Sequence, residues 1–212
     1  MFKTSNARRL LEVLAVMITG GGKFIFVDML PYKFWFISAA IISWATYILF
    51  RSLKNPSVLA YWGFRKQNFR RLFLLLSPLA LLVLTGFLIY GIYHKTLILS
   101  WHILPILFLY PIWGTIQQFL MVGLVASNLR DLNGITIPGW FIVIVTAILF
   151  SIVHFPSVPL VIATAMLGVF YTVLFLRYQN IWVLGIYHGW LGAFFYFFIL
   201  ERDPWLEVVN TF

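Results

Sequence analysis

The chain has no cysteine among its 212 residues, which excludes a disulfide framework and thiolate chemistry. Charge is also scarce. Only 10% of the residues are Asp, Glu, Lys or Arg, whereas 62% are hydrophobic and the mean hydropathy is +0.96. An ordinary soluble domain is roughly 25% charged, because its helices need a wet face. This composition cannot cover a globule in water and predicts an integral membrane protein. Acid is scarcest of all: the six carboxylates are Glu12, Asp28, Asp131, Glu201, Asp203 and Glu207. Glu12 and Asp28 lie near the ends of the first apolar run, and none lies inside the last five.

What is abundant is the long apolar run. About 20 helical residues cross a hydrocarbon core of about 30 Å, and seven stretches approach that length: 10–30, 34–50, 72–93, 101–126, 137–155, 158–176 and 181–200. The expected fold is therefore all-α, a polytopic bundle of about seven membrane helices, in one domain spanning 1–212. The first run is the weakest, because Gly20-Gly21-Gly22-Lys23 and Asp28 interrupt it. No small-residue cleavage site closes it, so it reads as a membrane segment and not as a signal peptide.

The net charge of +9 does not point to nucleic acid, because the cations collect in loops between apolar runs. With the N-terminus in the cytoplasm, 11 of the 15 Lys and Arg fall on the cytoplasmic side and 4 outside, which puts the C-terminus outside. Six of the eleven lie between Arg51 and Arg71, interleaved with Tyr61, Trp62, Phe64 and Phe69, a pattern suited to an anionic lipid surface. A compact chain without tails is expected in a bacterial cytoplasmic membrane.

Polar side chains at membrane depth are costly and mark candidate sites. In the second half of the chain these are Gln117, Gln118, His154 and His188. The two amides lie about 100° apart on a helix, so one can face a cavity while the other bonds a neighbouring helix. They can equally be polar glue between helices. His154 sits just before Phe155-Pro156, near a helix end. His188 lies among Gly185, Gly189 and Gly192, which allow a backbone or substrate to come close. Two histidines without a third ligand make a poor zinc site, so neither metal nor cofactor is expected.

In order and spacing, these residues resemble the CPBP intramembrane proteases (CAAX proteases and bacteriocin-processing proteins), which include the type II CAAX prenyl endopeptidases. That family carries Glu-Glu-x-x-x-Arg in one membrane helix, Phe-x-x-x-His in the next, and His-x-x-x-Asn two helices on. Phe150-Ser-Ile-Val-His154 fits the second motif, and His188-Gly-Trp-Leu-Gly192 fits the third except at its last position. Gln117-Gln118-Phe-Leu-Met-Val122 occupies the place of the first, and Gly123 matches a common following glycine. The similarity covers about residues 100–200 and includes the Gly168–Trp182 lead-in to the last histidine.

The resemblance implies membrane peptide proteolysis, with Gln117 and Gln118 in the glutamate places, His154 activating water and His188 donating to the oxyanion. Val122 cannot replace the arginine, nor Gly192 the asparagine. Glutamine keeps the shape of glutamate but takes no proton near neutral pH. The favoured expectation is a weakly active or inactive homologue that binds a membrane-embedded or lipidated peptide or protein. The alternatives are an active endopeptidase with His154 as base, and an unrelated transporter or channel. The last lacks an inverted repeat and an acidic coupling residue in a core span.

Overall fold

The computed structural model describes residues 4–209, so Lys3 of the topological count lies outside the described residues. These contain helices and turns and no strand. The chain runs through α1 (Asn6–Lys23), α2 (Lys33–Lys54), α3 (Ser57–Tyr61), α4 (Phe69–His94), α5 (Ile103–Gln118), α6 (Ser127–Arg130), α7 (Gly139–Ile152), α8 (Val158–Tyr178), α9 (Ile181–Phe198) and α10 (Pro204–Val209). Two π-helical stretches extend this set: Phe24–Met29 continues α1, and Phe119–Ala126 joins α5 to α6.

Six helical runs are long and apolar enough to cross a bilayer: Asn6–Met29, Lys33–Lys54, Phe69–His94, Ile103–Arg130, Val158–Tyr178 and Ile181–Phe198. The fifth expected span, 137–155, is shorter, because α7 holds 14 residues and gives way to a turn at Val153–Pro156. Large side chains on these helices face outward, among them Leu82 at 68%, Met166 at 71% and Phe108 at 77% exposure. In water that arrangement would be untenable; in lipid it is the outer surface. The protein is an integral membrane protein.

The first run is a better helix than its composition suggests. Ser5 caps it by accepting from the Arg8 backbone N–H. The helix then passes through the three glycines unbroken, and they serve as contact surface. A Cβ on Gly20 would sit 3.0 Å from Val153, and one on Gly22 would sit 2.7 Å from Phe36.

Two compact units make up the chain: Met1–Phe64 with Phe119–Gln179, and Arg65–Gln118 with Asn180–Phe212. The first is built around a buried polar network. Glu12 on α1 accepts from Arg51 and Tyr47, both on α2, and from Asn128 on α6 at 2.6 Å. Arg9, one turn before Glu12, donates to Tyr61 and to Asn128 Oδ1, and Tyr61 in turn donates to the Ser127 carbonyl. Arg9, Glu12, Arg51 and Asn128 are all buried. Burial also pushes the Tyr61 phenol above its ordinary value, against the pull of Arg9, so it stays a hydroxyl. Around the network pack Trp62, Phe119 and Phe64, with ring centroids 5.2 Å and 5.6 Å from Phe119. Thus Arg9 and Arg51, counted by sequence as loop cations, are internal ion-network members.

The second unit packs α4, α5, α9 and α10. Ile106, Ala193, Phe197 and Phe198 form its core with Phe87, Leu97 and Trp205. Asn180 starts α9 by accepting from the Val183 N–H, while its amide donates to the carbonyls of Arg65 and Gln67 at 2.8 and 2.9 Å. At the other end His102 pairs with Asp203 at 2.6 Å. Burial alone would raise the Asp203 carboxyl. Hydrogen bonds from His102 and from the backbone N–H groups of Leu206 and Trp205 outweigh it and hold the carboxyl below its ordinary 3.8.

Removing one partner of a buried ion pair strands the other, at about 3–5 kcal/mol. Glu12→Ala is therefore expected to lower the thermal transition in detergent sharply, and Glu12→Gln, which keeps acceptor and shape, to lower it less; equal small shifts would contradict the network. For Asp203, whose native value is depressed, the stabilisation is complete above 3.8 and is lost as the pH falls through the native value. Asp203→Asn should flatten that acid limb in a thermal-unfolding series.

Candidate functional site

The site in the second unit begins with small residues. On α5, Gly114, Gln117 and Gln118 stand at i, i+3 and i+4 and share one face; on α9, Gly185, His188 and Gly189 do the same. At the glycines the two backbones touch. A Cβ on Gly185 would lie 2.1 Å from Thr115 Oγ1 and 2.5 Å from its Cα. One on Gly189 would lie 2.4 Å from the Tyr110–Pro111 peptide, and one on Gly114 would lie 2.5 Å from the Gly185 carbonyl. No side chain fits at these positions, so the helices approach as closely as backbones allow.

That approach brings three of the four expected site residues together. His188 Nε2 donates to Gln117 Oε1 at 2.7 Å, and Gln118 Nε2 donates to His188 Nδ1 at 3.3 Å. Both amides clasp one imidazole, instead of pointing to a cavity and a neighbour separately. Their 100° separation is bridged because His188 lies over the crossing, its Cδ2 3.0 Å from where a Gly114 Cβ would be. With these amide orientations the ring is the neutral Nε2–H tautomer, and each ring nitrogen has an amide partner. His188 and Gln118 are buried, and Gln117 is half-buried.

His154 belongs to the first unit. It lies in the turn after α7, and its Nδ1–H donates to the Phe150 carbonyl at 2.8 Å, with the two rings perpendicular at 5.3 Å. This bond fixes the tautomer and leaves the Nε2 lone pair as the basic position. Beside it, Lys23 donates to the Phe155 carbonyl and to Asp28, both at 2.6 Å. The two carboxylates of the first run are therefore engaged, Glu12 by Arg51 and Asp28 by Lys23. Among the described residues no three His, Asp or Glu side chains gather as a metal would require.

The two positions that depart from the family motif differ in their surroundings. Val122 is buried in the π-helical stretch of the first unit, among Phe119, Leu124 and Val125. Gly192 faces open space, with nothing within 4 Å of an added Cβ. Sequence reasoning missed the joining of Arg9, Glu12, Arg51 and Asn128 into one network. Their signal was the i, i+3 pair Arg9/Glu12 and the i, i+4 pair Tyr47/Arg51 on two apolar helices.

Residues 99–194 match the model of the family described as Type II CAAX prenyl endopeptidase Rce1-like, just under half of the chain. No curated protein and no solved structure gives a match.

The glycine crossing is open to a direct test. Gly185→Ala and Gly189→Ala are each expected to lower thermal stability by several degrees or prevent folding, since backbone atoms cannot give way. Gly192→Ala, in open space, should leave the melting temperature within about a degree. Equal tolerance at all three positions would show that the close approach does not hold the site.

Proposed function

We infer, for a chain that belongs through residues 99–194 to the type II CAAX prenyl endopeptidase Rce1-like family, that the second-unit site binds a membrane peptide or lipidated protein segment and cleaves it slowly or not at all. The observation that carries this reading is the clasp of His188 between Gln117 and Gln118. Neither amide can accept a proton near neutral pH, and the imidazole is occupied at both nitrogens. Loss of a general base removes about 10²–10⁴ in rate, and loss of an oxyanion donor about 10²–10³. The open space at Gly192, where the family places an asparagine, fits a site with room for a ligand and one donor fewer.

One observation favours a second reading, an active endopeptidase. The anchoring of His154 Nδ1 on the Phe150 carbonyl leaves Nε2 free of that bond and suited to the role of base. In either case the proposed setting is a bacterial cytoplasmic membrane with the N-terminus inside and the C-terminus outside. Lys54, Lys66, Arg70 and Arg71, which are exposed, would meet anionic lipid there, whereas Arg51, Tyr61 and Trp62 are turned inward.

The deciding experiment is peptide cleavage in nanodiscs, read by mass spectrometry, with membrane-embedded and prenylated substrates. For the first reading, wild type and His154→Ala are expected to show the same very slow turnover or none. Gln117→Glu, which places a carboxylate against His188 Nε2–H, is expected to raise turnover by at least tenfold. Cleavage by wild type that disappears in His154→Ala would overturn that reading in favour of the second.

A further inference from the structure

A shallow, open concave surface lies on the lipid-facing side of the first unit, where α7 and α8 run antiparallel. A groove of about 580 Å³ is walled by Val143, Ile144, Val169, Val173 and Leu176. Its volume lies within the roughly 300–1,000 Å³ of small-molecule sites. The walls are open to the surroundings: Ile144 is 46% and Val173 51% exposed. One end is different. There Gly139 and Trp140, at the start of α7, face Arg177 in the last turn of α8.

Arg177 makes no ion pair with a carboxylate among the described residues; its guanidinium lies 5.5 Å from the Tyr178 ring centroid. Trp140 is exposed. A cation flanked by Trp and Tyr is the side-chain set found at the headgroup level of a bilayer. An apolar trough that ends in such a set has two chemical demands, hydrocarbon along its length and negative charge at its mouth.

We propose that this groove holds one phospholipid with an anionic headgroup, its acyl chain along Val143, Val169 and Val173 and its phosphate at Arg177. Charge complementarity selects the lipid. A zwitterionic headgroup would bring a cation to the same end, whereas phosphatidylglycerol brings net negative charge to an arginine that has no carboxylate partner. No residue of the basic 51–71 segment lines this groove, and lipid binding there does not depend on whether the chain is a protease.

Native mass spectrometry of the full chain, released from micelles doped with phosphatidylglycerol or phosphatidylcholine of identical chains, tests the proposal. Wild type is expected to retain one phosphatidylglycerol in preference to phosphatidylcholine. A juxtaposed Arg contributes about a fivefold preference, which Arg177→Gln should abolish. Val173→Trp, on an exposed wall, should fill the trough and lower retention of both lipids without disturbing the fold. The triple variant Lys66→Gln, Arg70→Gln, Arg71→Gln should keep the preference. Equal retention of the two lipids by wild type, no retained lipid, a preference that survives Arg177→Gln, undiminished retention in Val173→Trp, or a preference lost in the triple variant would each overturn the assignment.

Discussion

Contact between two helix backbones governs the second unit. Gly114 on α5 and Gly185 and Gly189 on α9 remove every Cβ from the crossing, so the helices meet at carbonyl and amide distance. In lipid there is no hydrophobic force to press helices together, and such contact depends on fit and on polar bonds. Both are present here. The glycines supply the fit, and one helical turn further along each chain the Gln117–His188–Gln118 clasp supplies the bonds. The candidate site and the packing are therefore one feature. A substitution that widens the crossing by the width of a methyl group would also pull the imidazole from its amides.

This coupling bears on chemistry. A catalytic histidine in a membrane must keep a nitrogen available to the reacting atoms, and its partners should tune it without consuming it. Here two side chains of equal length and no charge divide the ring between them. The arrangement is closed and satisfied, with a partner at each ring nitrogen. A carboxylate in place of Gln117 would accept from Nε2–H in the same geometry and polarise it.

The first unit solves a different problem, holding charge inside an apolar unit. Glu12 is compensated by Arg51, Tyr47 and Asn128 together, and Arg9 by Tyr61 and Asn128. Such a set is weak evidence for net stability but strong evidence for a specified partner at each position. Asn128 lies within the family-matching segment and Arg9, Glu12 and Arg51 lie before it. The N-terminal helices are thus bonded to the family-like part by directional contacts as well as by packing.

Much of this was legible from residues alone, for definite reasons. Helical runs follow from apolar length, and the glycines around His188 foretold a close approach. The amides were harder. Their 100° separation suggested two destinations, and only the shared i, i+3, i+4 spacing of Gly114-x-x-Gln117-Gln118 and Gly185-x-x-His188-Gly189 reveals that both helices present a small residue and a polar residue to the same crossing. Arg9 and Arg51 misled because a cation at a helix end obeys the topology rule equally well whether it faces lipid headgroups or a buried glutamate. What separates the cases is a second polar residue one turn away on the same helix. Glu12 stands three residues from Arg9 and Tyr47 four from Arg51, whereas Arg177 has neither neighbour on its apolar helix. The same pattern that turns the first two arginines inward leaves the third at the mouth of a hydrocarbon groove.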